Sequence, residues 1–290
     1  MSTRPNIFLD FKSVKNEGML MKPLFSLQFL TASLLSSIIL SASAQSVSPK
    51  NKLQEIIQSK ELKVCIWPDY YSITFRNPKT KTLTGIDIDI SAELEKELGV
   101  KVKYIDSSFP ELIDNLVKNK CDVAMHAVGI TPARKAKLDF SQPYLRSDIY
   151  AITSKSNDAI QTWQDIDKPG RIIAVQEGTL MVTIMQGSLK NAKLLVVSPP
   201  LTREQEVESG RADAFMTDYP YSRRMLETTD WARMVAPPKP FHMTDYAYAV
   251  APGEPEFLAR INAFIDKMKK DGRLRSIAVK HRLDPIVLTN

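Results

Sequence analysis

The stretch GIDIDISAELEKELGVKV, Gly85 to Val102, changes its hydrophobic period once, and that change sets the architecture. Ile86, Ile90, Leu94 and Leu98 recur every four residues, one face of a helix, and Gly99 closes it as a C-terminal cap. Val100, Val102 and Tyr104 then alternate with lysines, which is strand periodicity. On the N-terminal side lie a strand, Leu62 to Ile66, and a short amphipathic helix, Asn51 to Glu61, with Leu53, Ile56 and Ile57 on one side. On the C-terminal side Ser108 and Pro110 open a helix whose inner face is Leu112, Ile113, Leu116 and Val117. Asp122 to Val128 is the next strand. The order strand, helix, strand, helix, strand predicts a parallel sheet with right-handed crossovers.

The pattern then restarts. Arg171 to Val175 is a strand, followed by Glu177-Gly178-Thr179 and a helical run through Met185. Lys193 to Val197 is a strand, Thr202 to Ser209 a polar-faced helix, and Ala212 to Thr217 a third strand. Extended runs, Tyr144 to Thr153 and Tyr246 to Ala251, bracket this second unit, and two helices end the chain. The fold class expected is α/β with two lobes, each a mostly parallel sheet flanked by helices, and two crossovers between them. The expected boundaries are 50–146 for the first part of lobe 1, 147–240 for lobe 2, and 241–290 for the return to lobe 1. In open α/β sheets ligands bind beyond the carboxyl ends of strands. Those ends carry Trp67 to Tyr70, His126 to Arg134, Gln176 to Thr179, and Asp218.

Composition narrows the function classes. With 290 residues, 43% hydrophobic and 25% charged, the chain excludes disorder, collagen and coiled coil. The net charge of +6 is interspersed, without a run of five like charges, and describes a solvated surface rather than a nucleic-acid footprint. His126, His242 and His281 are too scattered for metal-ligand spacing, so no metal or cofactor is expected.

The N-terminus reads as an address. Lys22, the apolar stretch Leu24 to Leu40 and Ala42-Ser43-Ala44 make the basic, apolar and small-residue regions of a secretory signal, cleaved after Ala44. As a membrane anchor the segment is short and carries several polar residues. Met1 to Gly18 is a polar leader unusual in a signal, and Met19 or Met21 is a more natural start. Removing residues 1–44 leaves 35 basic against 31 acidic residues. No cysteine follows the apolar region, so a lipoprotein is not expected. Cys65 lies late in its strand and Cys121 just before another; parallel strands place them at opposite ends, and two buried free thiols are expected.

From Lys60 to Asp284 the sequence resembles a family 3 extracellular solute-binding protein, the periplasmic amino-acid receptor of an ABC importer. Four motifs in order carry the resemblance: Gly85 to Val102, GITPAR from Gly129 to Arg134 with DFSQPY after it, VQEGT from Val175 to Thr179, and RADAFMTD from Arg211 to Asp218. Glu95 departs from the small residue usual in the first motif. The resemblance implies the type II two-lobed fold, a periplasmic location, an ABC permease at the inner membrane as partner, a small amino acid or related carboxylate as ligand, and a monomer with no nucleic-acid role.

Residue by residue, Arg134 matches the arginine that forks onto a ligand α-carboxylate, a task suited to a planar, permanently charged guanidinium. Asp218 matches the carboxylate that receives the α-ammonium, and can also cap a helix. Thr179 matches a donor at a helix N-terminus, and Gly129 and Thr131 match positions bonding the same ligand end. Tyr70 and Phe109 match aromatic positions around the ligand side chain. Trp67 stands where relatives that bind basic amino acids carry an aspartate, His126 and Ala127 replace serines, and Gln176 occupies an often apolar position. A neutral, aromatic lining ranks neutral amino acids or aromatic carboxylates first, acidic amino acids second and basic ones last. The binding groups come from both lobes, so the lobes should close on ligand about a hinge near Leu145 to Asp148 and Phe241 to Thr244.

One exported relative of these receptors is an enzyme, cyclohexadienyl dehydratase, and LKNAKLLV, Leu189 to Val196, resembles it. Its general acid is a glutamate two residues after the Gly-Thr turn, where this chain has Met181. Without another catalytic constellation, binding is favoured over catalysis.

Overall fold

The computed structural model describes residues 51–290; the signal-peptide and start-codon expectations fall outside the described residues. The first lobe opens with α1 (Lys52–Ser59), β1 (Glu61–Ile66), the hairpin β2 (Phe75–Arg76) and β3 (Leu83–Thr84), α2 (Ile86–Leu98) and β4 (Lys101–Asp106). It continues through α3 (Leu112–Val117), β5 (Val123–Gly129), α4 (Pro132–Lys135), β6 (Asp139–Phe140) and β7 (Leu145–Ser147). The second lobe holds β8 (Ile149–Ser154), β9 (Ile172–Gln176), α5 (Leu180–Ser188), β10 (Lys193–Val197), α6 (Arg203–Glu208), β11 (Ala214–Asp218), α7 (Tyr219–Thr228) and β12 (Ala232–Val235). β13 (Thr244–Val250), α8 (Pro255–Lys270) and α9 (Arg273–Lys280) complete the described chain.

The first sheet runs β4-β1-β5-β13-β6 with β7 also on β13; the second runs β10-β9-β11-β8-β12. Each has a parallel half, β4-β1-β5 and β10-β9-β11. Each also has an antiparallel half, because the bracketing runs enter as β8 beside β11 and β13 beside β5. α8 and α9 pack against α2: Arg273 pairs with Glu93 at 2.7 Å and Lys267 with Glu97 at 2.8 Å. The four-residue period of α2 is its inner face, with Ile86, Ile90, Leu94 and Leu98 all buried. In α3, by contrast, only Leu112 and Leu116 of the four expected apolar residues are buried and Val117 is 51% exposed, because six residues present too narrow an arc to bury all four.

Two crossovers join the lobes, and Asp148 ties them together. It accepts from the backbone N–H groups of Ile149, Phe241 and His242 at 2.8, 2.9 and 2.7 Å, so both strands of the hinge share one carboxylate.

The cysteines correct the sequence reading. Cys65 and Cys121 form a disulfide, with Cα atoms 5.6 Å apart. The free-thiol expectation kept Cys121 on the line of its strand. The strands are parallel, with Val64 opposite Val123 and Cys65 opposite Ala124, but Cys121 lies ahead of β5 and its N–H donates to the Asn115 carbonyl of α3 at 3.4 Å, off the strand line. Both side chains sit under α3 with Leu112 and Leu116, within bonding reach.

Candidate functional site

A cavity lies between the lobes, beyond the carboxyl ends of β1, β5, β9 and β11, with about 330 Å³ of non-atom space, part of it open to solvent. The first lobe contributes Trp67, Tyr70, Phe109, Ala127, Gly129, Arg134 and Tyr246; the second contributes Thr179, Leu180, Met181, Arg203, Thr217 and Asp218.

Arg134 stands on α4, whose first turn Thr131 caps by accepting from the Arg134 N–H. Its guanidinium is buried 5.2 Å from the Phe109 ring centroid, a cation–π contact. One Nη donates to the Gly129 carbonyl at 2.9 Å and the other crosses the cleft to the Gly178 carbonyl at 3.0 Å. Among the described residues no carboxylate forms an ion pair with it, and burial pushes its pKa down to about 10. It remains fully charged at neutral pH, a desolvated cation whose guanidinium hydrogen bonds among the described residues go to carbonyls alone.

Asp218 ends β11 and caps α7, accepting from the Tyr221 N–H at 3.2 Å. Its other oxygen accepts from the hydroxyls of Tyr70 and Tyr246, both from the first lobe, the latter at 2.9 Å. Burial pushes its pKa up, and the two hydroxyls and the N–H oppose that rise. Thr179 begins α5, donates its hydroxyl to the Gln176 carbonyl at 2.7 Å, and brings the positive end of the helix to the cavity.

Two glycines let the lobes meet. A Cβ on Gly129 would lie 2.5 Å from Leu180 Cδ2, and one on Gly178 would lie 2.5 Å from the Pro110 nitrogen. Gly178 also has φ +74, a conformation that side chains resist.

The aromatic wall is continuous: Trp67 lies 5.2 Å from Tyr70 and 5.3 Å from Phe109, centroid to centroid. Of the residues singled out from sequence, the structure thus brings together Trp67, Tyr70, Phe109, Gly129, Arg134, Thr179 and Asp218. Three others stand apart from the lining. Thr131 acts as the cap of α4. His126 is fully buried behind Phe109, 5.1 Å between rings, and among the described residues neither ring nitrogen has a hydrogen-bond partner. Burial, with the nearby Arg134 charge, pushes its pKa down to about 3, so it is neutral. Gln176 lines an outer groove with Pro110, Pro199 and Leu201 and donates to the Val197 carbonyl at 3.1 Å. A left-handed backbone at Ala127, φ +49, lies in a bulge of β5, where four residue steps pair with two of β13; Ala127 lines the cavity and His126 is buried in the core.

Arg203 and Tyr246 were not singled out from sequence. Arg203 lies just beyond the carboxyl end of β10, so the strand-end rule could have flagged it. Tyr246 carries no such signal, because its role depends on β13 returning beside β5.

Two lobes on two hinge strands, with charged groups from both meeting over a buried cavity, define a solute-binding protein of the type II periplasmic fold. The chain belongs to the bacterial extracellular solute-binding proteins, family 3, which residues 62–283 match. It is 29% identical over 242 residues to a cyclohexadienyl dehydratase of Pseudomonas aeruginosa, covering 83% of this chain and 90% of that protein. It is 25% identical over 254 residues to an L-cystine-binding protein of Escherichia coli, covering 87% and 94%. Among solved structures, an ancestral amino acid-binding protein described as a precursor of cyclohexadienyl dehydratase is 33% identical, with a TM-score of 0.71 over 80% of this chain and 99% of that one.

Proposed function

We propose that this protein is a periplasmic receptor that captures a small amino-acid-like solute between its lobes and presents it, as a monomer, to an ABC permease. One observation carries the reading: Arg134 is buried in the cleft with carbonyl partners and no carboxylate. A buried guanidinium of that kind is stabilised by a ligand carboxylate forking onto it. At Thr179 the N-terminus of α5 adds the positive end of its dipole, and Asp218 supplies the opposite charge for an α-ammonium. The relatives named for transport and for L-cystine binding support the same class.

The dehydratase relative keeps a second reading in view. Met181 lines the cavity with a thioether, which has no proton to donate to a leaving hydroxyl. Asp218 is the one acidic residue of the lining, and both its oxygens are already engaged. A thermal-shift panel of the twenty amino acids plus prephenate, followed by a prephenate turnover assay, separates the two. Stabilisation by amino acids without turnover is the expected result; turnover would make the protein an enzyme.

A further inference from the structure

Arg203 is a second buried guanidinium in the same cavity. It stands in the first turn of α6, 3% exposed, with its plane 4.2 Å from the Tyr221 ring centroid and 5.0 Å from that of Phe215. Its Nε donates to Glu204 at 3.1 Å and one Nη donates to the Met216 carbonyl at 3.2 Å. Among the described residues the remaining Nη donates to nothing. Tyr221 meets a second cation as well, since the Arg224 guanidinium lies 5.0 Å from its ring centroid. The aromatic and carbonyl contacts therefore fix the Arg203 fork in place and leave part of its donor capacity unspent.

The opposite charge in the lining does not meet that capacity. Asp218 is the single carboxylate of the cavity wall, and its oxygens accept from Tyr70, Tyr246 and the Tyr221 N–H. Two guanidiniums thus face a cavity whose one carboxylate is already hydrogen-bonded. Glu204 offsets part of the Arg203 charge through Nε, which lets the protein hold the group buried before any solute arrives. A donor at a binding surface discriminates strongly once a ligand shields it from water, because a ligand that cannot accept from it leaves it unpaired.

We propose that Arg203 reads a second anionic group on the solute, and that the solute class is therefore a small dicarboxylate, an amino acid with an acidic side chain or a non-amino acid of similar size. The inference rests on the receptor reading above and specifies its ligand. Arg134 takes one carboxylate and Arg203 the other, while Phe109, Trp67 and Met181 cover the carbons between. The neutral-first ranking drawn from sequence counted His126 and Gln176 as the lining's polar groups; with Arg203 in their place, the acidic class moves to first.

The test is calorimetry on the purified protein with matched pairs: L-glutamate against L-glutamine, L-aspartate against L-asparagine, and succinate against butyrate. The dicarboxylate of at least one pair should bind roughly a hundredfold more tightly than its partner, the scale of a charge-assisted pair in a closed site. Arg203→Met should collapse that ratio towards one, and Arg203→Gln, which keeps a donor, serves the same purpose if the first variant is poorly folded. Binding without preference for the second carboxylate, or a preference that survives both substitutions, overturns this inference alone. A folded protein that binds no member of any pair, nor any amino acid of the wider panel, overturns the receptor reading and this inference with it.

Discussion

One Nη of Arg134 lies 3.0 Å from the carbonyl oxygen of Gly178, and that hydrogen bond joins the two lobes across the cleft. Arg134 belongs to the lobe built on β5, Gly178 to the lobe built on β9, and the same guanidinium is the proposed seat of the ligand carboxylate. Ligand binding and lobe closure therefore share one residue. Arg134→Ala should weaken binding on the order of a thousandfold, the consequence of burying a carboxylate unpaired. Arg134→Lys should still lose most of the affinity, because an ammonium cannot make a two-pronged contact. Arg134→Met should leave the ligand-free melting temperature unchanged or raise it, since it removes a desolvated charge without a carboxylate partner. Near-wild-type affinity for Arg134→Ala in calorimetry would place the carboxylate elsewhere.

Gly178 tests closure separately from chemistry. A Cβ there meets the Pro110 nitrogen at 2.5 Å, and Pro110 is on the opposite lobe. Gly178→Ala should therefore strain the closed form and weaken solute binding roughly tenfold or more, through the population able to close. Gly187, within α5 and with no atom near its would-be Cβ, is the control. Gly187→Ala should bind normally and melt slightly higher, as a helix-interior glycine exchanged for alanine does. Equal affinities for the two variants would show that the Gly178 approach has no part in closure.

The Cys65–Cys121 disulfide closes a loop of sequence separation 56 around α2 and α3. On the chain-entropy account, opening it costs about 4 kcal/mol of stability. Urea unfolding of the Cys65→Ala, Cys121→Ala double variant should show a midpoint well below that of the oxidised protein. A coincident midpoint would mean the bridge contributes nothing to the fold.

Asp87, in the first turn of α2, gives the fold a pH dependence. It is fully buried and accepts from the hydroxyls of Tyr144 and Tyr248 at 2.6 and 3.0 Å, and from the strained Ala127 N–H at 3.0 Å. Burial raises its pKa from 3.8 to about 7 against the pull of those three donors. Because the folded value is the higher one, its contribution is fully present below about pH 4 and is lost as pH rises through 7. Relative to Asp87→Asn, the wild type should lose stability between pH 4 and 7 and change little above. His126 works in the opposite sense: its folded pKa, about 3, is depressed, so its contribution holds above pH 6.5 and declines as pH falls. Measuring the Asp87→Asn difference in a His126→Phe background isolates the carboxyl. A stability difference flat from pH 4 to 8 would refute the assignment.

Much of this molecule was legible in its sequence, and the parts that were not share a physical reason. The period change at Gly99 placed α2 and β4, and the strand-end rule placed Tyr70, Arg134, Thr179 and Asp218 around one space. What escaped depends on register between segments distant in the chain. The disulfide turned on Cys121 leaving the strand line ahead of β5, and the exchange of His126 for Ala127 on the cavity wall turned on a single left-handed residue opposite β13. Arg203 follows the carboxyl end of β10 and was within reach of the strand-end rule, but no motif covers it, and its burial shows only once Tyr221 and Met216 are beside it.

The proposed closure of the lobes around a solute that touches both is read directly by small-angle scattering. A ligand that bridges Arg134 and the groups on the second lobe binds the closed form better and shifts the population towards it. The radius of gyration should fall when the tightest-binding amino acid of the panel is added to saturation, and Gly178→Ala should blunt that fall. A radius that stays constant at saturating ligand would contradict closure about the Asp148 hinge.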